Sequence, residues 1–366
     1  MTEPFDIVVV GSGAAGIAAA VSAARAGRTI LLLDQSSAVG GTGGFSGLTT
    51  LCGLFDEEGN FLNAGFSREF SEALMREDGI FEPVKTGRLF VQLYRPASFR
   101  KIAAGFLAQE PRVTICCNAP LKNVIVRENR IISVNGTQVR AAIDCTGTAE
   151  VGRAVGEELL VTDETTQAPA VIFPLKNIES DFQSPLTFAQ LLSALERAGF
   201  PPISFMPCAD AGVVSVKFSG TPENVPRLIE FLRNHVSGFE NCRAAQTEFP
   251  IARRSGAMIA GRYLLTGADV LGARKFPDAV VRCNWPVEQW SAHGKQTIRY
   301  LPRDEFYEIP ARSLRAARTE NLFMAGKSAS ADGDAMASAR VMGCCLATGA
   351  AAGKLAAEWL KSSRHQ

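Results

Sequence analysis

A glycine-rich turn near the N-terminus limits the folds open to this chain more than any other feature of its sequence. The β-branched run 7–10 predicts a buried strand of a parallel sheet. The turn Gly11-x-Gly13-x-x-Gly16 follows at once, and the alanine-rich stretch 14–26 predicts a helix. The run 29–33 predicts a second strand, which closes on Asp34. This order of strand, glycine turn, helix and strand predicts a Rossmann-like unit that binds a dinucleotide.

Each position of the turn has a separate physical task. Gly11 permits the tight turn, Gly13 lets the backbone approach a pyrophosphate, and Gly16 lets the helix pack closely on the strand. The phosphates would face the unpaired N–H groups at the helix N-terminus, where Ala14 and Ala15 lie. These five residues are therefore predicted to bind the cofactor.

The end of the second strand and the glycines after it extend the predicted site. Asp34 lies about twenty residues beyond the turn, where a carboxylate accepts hydrogen bonds from the adenosine ribose, and Gln35 follows it. A second glycine cluster then begins with Gly40, Gly41 and Thr42. So many glycines predict a loop whose backbone runs close against the rest of a long dinucleotide.

Two later strand ends favour FAD over NAD. The predicted strand 137–143 runs through Asp144 into Thr146 and Gly147, and the predicted strand 321–326 closes on Gly326. Three strand ends that converge on one cofactor fit FAD, because FAD extends across the whole domain. NAD alone would not need the far C-terminus.

The pattern between these segments predicts a second domain inserted into the first. Glycine clusters become scarcer, and strands are predicted at 168–175 and 212–218 and helices at 186–198 and 224–235. The fold class is therefore α/β, a Rossmann-like FAD-binding domain with an inserted α+β substrate domain. We predict the FAD-binding domain at 1–155 and 301–366 and the substrate domain at 156–300. The small residues of 335–360 predict one long buried helix.

Composition excludes several classes of function. The net charge of +1 gives no reason to expect nucleic acid or an anionic membrane as partner. The sequence lacks a long apolar run and a signal-like start, so we expect no membrane span and a cytoplasmic location. Nine cysteines without a C-x-x-C pair and only three histidines predict reduced thiols and no metal site.

The chain resembles the FAD-dependent oxidoreductase family with the glutathione-reductase-type flavin fold. It is most similar to the branch related to fumarate reductase flavoproteins and heterodisulfide reductase flavin subunits. The resemblance covers nearly the whole chain, and its C-terminal part is the most specific. The residues that carry it are the N-terminal glycine motif, Gly40-Gly41-Thr42, 143–147, 307–314, 321–326 and 332–353.

The resemblance implies further contacts with the flavin cofactor. Gly326 would lie near the pyrophosphate, Asp332 near the ribityl chain and the backbone of Leu121 against the adenine. A helix N-terminus would approach the pyrimidine edge of the flavin, where the helix dipole or Arg340 would stabilise the negative charge of the reduced state. The residues implied around that N-terminus are Ser338, Arg340, Val341 and Met342.

One segment departs from the family pattern. Related members often carry the run Arg-Glu-Ser-Arg-Arg in the substrate domain, whereas the corresponding residues here are Arg254-Ser255-Gly256-Ala257-Met258. The first arginine is retained and the other charges are gone. The identity of the substrate is therefore not carried over from the family.

Candidate catalytic residues follow from their chemistry. His293 is the best candidate for proton transfer, because imidazole titrates near neutrality, with a surface histidine as the alternative. Arg254 could clamp a substrate carboxylate, with a structural ion pair as the alternative. Arg340 would tune the flavin. Further candidates, each with a structural alternative, are Tyr300, Tyr307, Lys327 and Cys52.

The sequence thus predicts an enzyme that transfers a hydride between FAD and a small organic substrate held between two domains. The dehydrogenase or oxidase direction is favoured. The alternatives are a reductase of an activated C=C bond, a non-redox flavin protein and an electron-transfer subunit that needs a redox partner protein. The chain could also form a homo-oligomer.

Overall fold

The computed structural model describes residues 4–161, 167–179, 184–246, 249, 251–254, 256–291 and 296–363. The α-helices in this part of the chain are α1 (Ala14–Arg25), α2 (Gly41–Phe45), α3 (Phe66–Asp78), α4 (Pro96–Ala108), α5 (Glu150–Ala154), α6 (Pro185–Arg197), α7 (Val225–His235), α8 (Gly267–Leu271), α9 (Gly333–Ala339) and α10 (Met342–Ser362). Short 3-10 helices occur at Pro222–Asn224, Ala311–Leu314 and Gly326–Ser328.

The strands of the described residues are mostly short. In chain order they are β1 (Phe5–Val10), β2 (Ile30–Leu33), β3 (Thr50–Leu51), β4 (Val84–Thr86), β5 (Leu89–Leu93), β6 (Val113–Cys116), β7 (Val124–Arg127), β8 (Arg130–Val134), β9 (Thr137–Asp144), β10 (Leu159–Val161), β11 (Ala170–Lys176), β12 (Ile203–Pro207), β13 (Val213–Phe218), β14 (Arg243–Ala244), β15 (Ile251–Ala252), β16 (Ala257–Ile259), β17 (Ala279–Cys283), β18 (Val287–Trp290), β19 (Gln296–Arg299), β20 (Tyr307–Pro310) and β21 (Leu322–Met324).

A parallel sheet organises the N- and C-terminal parts of the chain. Its parallel strands lie in the order β6-β2-β1-β9-β21, and β8 and β7 extend it in antiparallel fashion beyond β9. Residues 7–10 of β1 and all four residues of β2 are apolar and buried because both faces of the sheet are covered there. The predicted Rossmann-like α/β fold is confirmed.

Helices α1 and α10 share a core with this sheet and pack very closely against each other. The residues of α1 from Ala14 to Ala24 are all buried, and they are mostly alanine. A Cβ atom added at Gly349 or Gly353 of α10 would overlap the carbonyl oxygens of Ala15 and Ala19 in α1. The small residues are therefore required for the approach of the two helix backbones.

The C-terminal helix is broken, which corrects the prediction of one long helix over 335–360. Helix α9 ends at Ala339 and α10 begins at Met342, and the two axes differ by 97°. The break falls at Arg340 and Val341, and Val341 is the N-cap of α10 with extended backbone. The N-terminus of α10 is thereby freed from the preceding helix.

A five-stranded antiparallel sheet forms the core of the middle of the chain. Its strands are β12-β13-β11-β14, with β15 also paired to β11. Helices α6 and α7 cover it through apolar residues such as Leu191, Leu195, Leu228 and Leu232. The sheet lies inside the predicted substrate domain, whose boundaries remain a prediction.

Residues of 257–291 and 296–314 share a hydrophobic core with the C-terminal helices. Met258, Val281 and Tyr307 pack with Met336 of α9 and Cys344 of α10. This core therefore connects the segment to the helices on both sides of the break between α9 and α10. Within the described residues no single helix is long and apolar enough to cross a membrane, and α9 with α10 would pass by length and composition only as a bent pair.

Candidate active site

The carboxyl ends of the central parallel strands lie side by side at one edge of the sheet. Strand β1 pairs with β2 and β9, and β9 pairs with β21, so Val10, Leu33, Asp144 and Met324 end in register. The first glycine turn follows Val10, and the other predicted strand ends meet it here. The sequence-based prediction of converging strand ends is confirmed in geometry. Ligands of open α/β sheets bind at this edge.

The first glycine turn is packed against the third strand end. Gly11 has a φ of +97°, and a Cβ atom there would come within 2.5 Å of the carbonyl oxygen of Cys145. A Cβ atom at Gly16 would overlap the carbonyl oxygen of Gly11. These two glycines are therefore required by the protein's own backbone, as their predicted roles demand.

Gly13 has no such reason to be glycine. Its φ is −73°, which any residue adopts, and it is the N-cap of α1. Among the described residues the nearest atom to an added Cβ is the Cα of Gly41, at 4.0 Å. Because the fold would accept a side chain, the missing Cβ fits the need to leave room for a ligand at the N-terminus of α1. The residues present fit a dinucleotide pyrophosphate.

The second glycine cluster lies against the first, although it forms a short helix rather than the predicted loop. Gly41 has a φ of +48°, and a Cβ atom there would lie 2.7 Å from the Cα of Gly13. The amide of Gly40 donates to the carbonyl oxygen of Ser12 at 3.0 Å. Gly41 and Thr42 form the first turn of α2. Both predicted glycine segments therefore border the same space.

The carboxylate of Asp34 is held at the end of β2. It accepts hydrogen bonds from the backbone and hydroxyl of Ser12 at 2.5 and 2.6 Å and from the amide of Ser36 at 2.7 Å. The amide of Ala119 donates to the Asp34 carbonyl at 2.8 Å, which brings the segment leading to Leu121 beside the acidic strand end. Gln35 is exposed there. The predicted ribose and adenine contacts thus fall in one region.

Buried Asp144 connects the third strand end to the C-terminal segment. Its Oδ1 accepts from Thr146 Oγ1 at 2.8 Å and from Ser328 Oγ at 2.9 Å. Ser328 Oγ in turn accepts from the amide of Gly147 at 3.0 Å. Gly326 has a φ of +60°, and a Cβ atom there would lie 3.0 Å from the Cβ of Ala15. Residues about 180 positions apart in the chain are therefore fixed around the first turn of α1.

Asp332 and Ser338 have structural bonds that the sequence did not suggest. Asp332 caps α9 by accepting from the amide of Ala335 at 2.8 Å, and it also accepts from the amide of Gly267 at 2.9 Å. Ser338 is fully buried, donates to the carbonyl of Trp285 and lies 2.8 Å from the hydroxyl of Tyr307. Their contacts with the cofactor remain a prediction, while these bonds explain how α9 is held.

Arg340 lies in the break between α9 and α10. Its Nη2 donates to Gln167 Oε1 at 3.0 Å and to the carbonyl oxygen of Glu288 at 3.3 Å. Burial lowers the pKa of Arg340, although the charge of Glu288 opposes this effect. Val341 and Met342 follow as the cap and first residue of α10, so the implied cation and the implied helix N-terminus are adjacent.

The acidic side chain of Glu288 accepts several hydrogen bonds beside Arg340. Its Oε1 accepts from Trp290 Nε1 at 2.6 Å, and its Oε2 accepts from Trp285 Nε1 at 3.2 Å. Lys217 Nζ lies 3.5 Å from Oε1. Burial would raise the pKa of Glu288, but Lys217, Arg340 and the indole donors outweigh it and lower the pKa to about 2. Glu288 is therefore ionised at neutral pH.

Two further cations lie on the ring of Trp290. Lys217 Nζ is 4.2 Å and Arg254 Cζ is 4.7 Å from its centroid, within cation–π distance. Burial and then the charge of Arg340 lower the pKa of Arg254 to about 9. Burial also lowers the pKa of Lys217, although Glu288 opposes it. We call Lys217, Arg254, Glu288, Trp290 and Arg340 the charged cluster.

Sequence reasoning found two members of the charged cluster and missed the others. Arg254 and Arg340 were predicted, whereas Lys217 and Glu288 were not. A signal existed, because Lys217 is the one charged residue of the mostly apolar strand β13, and Glu288 stands between two tryptophans. His293, the predicted proton-transfer residue, lies outside the described residues.

The further candidates from the sequence, Cys52, Lys327, Tyr307 and Tyr300, differ in burial. Burial, and then the charge of Glu288, raise the pKa of Cys52 to about 12, so its thiol stays protonated at neutral pH. Burial lowers the pKa of Lys327. Tyr307 is buried, whereas Tyr300 is 39% exposed beneath Arg88. All nine cysteines carry free thiols, and no metal-binding group of His, Cys, Asp or Glu occurs among the described residues.

Comparison with known families bears on the whole chain. A sequence model of the family described as FAD dependent oxidoreductase matches residues 6–198 and 206–365. A 4-oxocyclohexanecarboxylate 2-dehydrogenase of Sinomonas cyclohexanicum is 49% identical over 43 residues. That match spans 12% of this chain and 8% of that protein.

Solved structures share the fold at low sequence identity. A geranylgeranyl bacteriochlorophyll reductase-like protein from Thermoplasma acidophilum matches with a TM-score of 0.55 and 15% identity, over 100% of this chain and 80% of that one. GidA from Aquifex aeolicus matches with a TM-score of 0.55 and 14% identity, over 99% of this chain and 64% of that one. The flavin-dependent brominase Bmp2 matches with a TM-score of 0.54 and 12% identity, over 99% of this chain and 83% of that one.

Proposed function

The chain belongs to the FAD dependent oxidoreductase family, and we propose that it exchanges a hydride between FAD and a small organic substrate bound at the charged cluster. FAD is its cofactor, and the protein is an oxidoreductase. The substrate would lie between the glycine turns and the antiparallel sheet. The oxidation of the substrate, as in a dehydrogenase or oxidase, is the favoured direction.

The position of Arg340 is the observation that carries this proposal. Arg340 lies in the break between α9 and α10, directly before the N-terminus of α10. Its side chain donates hydrogen bonds to Gln167 and to the backbone of Glu288, another member of the charged cluster. A substrate at the cluster would therefore be adjacent to the segment implied to meet the flavin. The family pattern and the local contacts support the same region.

The residues around the substrate would have separate tasks. FAD, when bound, supplies the acceptor or donor of the hydride. Arg340 and the N-terminus of α10 would stabilise negative charge at the adjoining edge of the site. Glu288, ionised and bonded to two indole groups, would hold Lys217 in place. Lys217, whose pKa is lowered by burial, would hold or release a proton at Nζ.

Anaerobic flavin reduction tests the proposal. The holoenzyme is mixed with small acids, amines and alcohols, and the visible absorbance of the oxidised flavin is followed. Bleaching by a single organic compound is expected. A flavin that is reduced only by a protein reductant and is then re-oxidised by an activated alkene would contradict substrate oxidation as the favoured direction. That result would support the alternative, a reductase of a C=C bond.

A matched pair of variants connects the bleaching to the charged cluster. Lys217→Gln is expected to slow bleaching at least tenfold with FAD still bound, because the proton-transfer group is removed. Lys176→Gln removes an exposed lysine from the same antiparallel sheet and should not change the rate. Equal rates in both variants would remove Lys217 from the mechanism.

The partner and the compartment are also proposals. A small-molecule substrate is the partner that we propose, without nucleic acid or membrane. A redox partner protein or a second copy of the chain would be revealed by flavin reduction that depends on protein concentration. A cytoplasmic location is proposed because the nine cysteines carry free thiols.

A further inference from the structure

The charged cluster contains more positive than negative charge. Lys217, Arg254 and Arg340 surround one carboxylate, that of Glu288. The oxygens of Glu288 already accept from two indole N–H groups, and Oε1 also accepts from Gln296 Nε2 at 3.2 Å. Glu288 can therefore balance about one of the three cations.

Among the described residues, both arginines bond to neutral groups instead of to a carboxylate. Arg254 Nη1 donates to the carbonyl oxygen of Ala168 at 2.5 Å, and Arg340 Nη2 donates to Gln167 and to the carbonyl oxygen of Glu288. A charge that is removed from water and left without a counter-ion is costly. The cost is visible in the lowered pKa of each guanidinium, for which burial is the main cause.

Two donors of these arginines remain unused. Arg254 Nη2 and Arg340 Nε are buried and have no hydrogen-bond partner among the described residues. A guanidinium with a free N–H edge matches a carboxylate in geometry and charge. Trp290 is 1% exposed, and its ring contacts both Lys217 and Arg254.

We propose that Lys217, Arg254 and Arg340 form a binding site for a carboxylate group of the substrate. This inference rests on the proposed function and adds the class of substrate, an organic acid. The carboxylate would accept from the free donors of the two arginines and provide the counter-charge that the cluster lacks. The reacting carbon of the acid would then extend toward the N-terminus of α10.

The elements that carry the cations favour a substrate site over a role of the cations as counter-ions of the cofactor. Lys217 belongs to β13 of the antiparallel sheet, and Arg254 follows β15 of the same sheet. Neither lies on a strand or turn that carries the glycine motif. A counter-ion of the cofactor would be expected on the elements implied to contact the cofactor, and of the three cations only Arg340, beside α10, lies on such an element. The antiparallel sheet is the region predicted to bind substrate.

Binding of a model acid tests the site without turnover. The holoenzyme is titrated with benzoate by isothermal calorimetry, with benzamide as the neutral isostere and sulfate as the inorganic anion. Benzoate should bind and benzamide should not. Sulfate binding as tight as that of benzoate would overturn the assignment to a carboxylate, because a planar two-oxygen partner would not be preferred.

Variants locate the binding of benzoate. Arg254→Gln and Lys217→Gln should each weaken benzoate at least tenfold, whereas Lys176→Gln, the same loss of charge at an exposed position, should leave it within twofold. Arg254→Lys keeps the charge but loses the planar fork, and an intermediate affinity is expected. Wild-type affinity in Arg254→Gln with FAD bound would overturn the proposal.

The two proposals fail in different ways. If a neutral alcohol or amine bleaches the flavin while benzoate does not bind, the carboxylate site is wrong and the hydride function stands. If benzoate binds at the cluster but no organic compound reduces or re-oxidises the flavin, the hydride function is wrong and the carboxylate site stands. FAD content, measured in each variant, shows that the cofactor site is intact in either case.

Discussion

Gly13 differs from Gly11 and Gly16 because the fold itself does not require glycine at this position. Gly11 and Gly16 are glycine because the carbonyl oxygens of Cys145 and Gly11 occupy the space of a side chain. At Gly13 the backbone has an ordinary φ of −73° and the space for a Cβ is open. One motif therefore contains positions with two different physical reasons, which a sequence pattern alone cannot distinguish.

Gly13→Val is expected to reduce FAD occupancy below about a tenth, since the side chain would fill the path of the pyrophosphate. The free energy of unfolding of the apoprotein should fall by only about 1 kcal/mol, because residues with a side chain also adopt the backbone conformation of this N-cap. FAD content per chain and thermal unfolding of the apoprotein measure the two effects. Gly105→Val in α4, where an added Cβ has no described atom within 4 Å, is the control and should keep its FAD. Full occupancy in Gly13→Val would exclude this turn as the cofactor site.

Glu288 should contribute stability that depends on pH. Its pKa is lowered from 4.5 to about 2 in the folded protein, so its contribution is present above pH 4.5 and is lost as pH falls through about 2. Glu288→Gln should therefore lower the free energy of unfolding by about 3 kcal/mol more at pH 7 than at acidic pH, where Glu288 is protonated.

Urea unfolding of Glu288→Gln and wild type between pH 2 and pH 7 (an acid range of about five units around the shifted titration) checks this expectation. The difference between the two proteins should shrink as the pH falls. Glu320→Gln is the control, because Glu320 is exposed and bonded to Arg130, and it should change stability by about 0.5 kcal/mol or less at any pH. A constant difference for Glu288→Gln would contradict the lowered pKa.

At the scale of elements, the break between α9 and α10 has the largest consequence for the site. Alanine and other small residues continue through it, so the composition of 335–360 predicts an uninterrupted helix. The break is imposed by distant contacts. Ser338 is bonded to Trp285 and Tyr307, while Gly343 accepts no side chain because Cys52 and Gly53 approach its Cα.

Elements with a local cause could be predicted, and those with a tertiary cause could not. Strands β7 (Val124–Arg127) and β8 (Arg130–Val134) have such a local cause, since a polar turn separates two runs rich in β-branched residues. The glycine turns and converging strand ends were also predicted from local patterns. Three features depend on residues far apart in the chain: helix α2, the helix break and the pairing of Lys217 with Glu288. Hydrophobic periodicity and helix propensity are local, so they do not predict these features.

The contact between α1 and α10 provides a test at this scale. A Cβ atom at Gly349 would overlap the carbonyl oxygen of Ala15, a backbone atom that cannot rotate away. Gly349→Ala should therefore push the helices apart and lower the free energy of unfolding by about 3 kcal/mol. Gly105→Ala, a helical glycine with open space around it, should raise it by about 1 kcal/mol. Equal effects of the two variants in urea unfolding would show that the helices do not need this glycine.

At the scale of the whole molecule, the candidate cofactor site is assembled from the two ends and the middle of the chain. Residues 11–16, 34–42, 118–121, 146–147 and 326–328 meet at one edge of the parallel sheet. Each segment is fixed to another by backbone or carboxylate bonds, as Asp144 fixes Gly147 through Ser328. A ligand that contacts all of them stabilises their common arrangement, so FAD binding and folding are expected to be coupled.

Removal of FAD should therefore lower the stability of the entire protein. A ligand present at 100 to 1,000 times its Kd stabilises the native state by about 3 to 4 kcal/mol. Calorimetry of the holoprotein and of the FAD-free apoprotein should show a lower Tm for the apoprotein, restored by added FAD. NAD at the same concentration is the control and should restore nothing, because the site is formed by segments that include the far C-terminus. Equal Tm values with and without FAD, at full FAD release, would contradict the coupling and leave the strand ends as a site that is complete before the cofactor arrives.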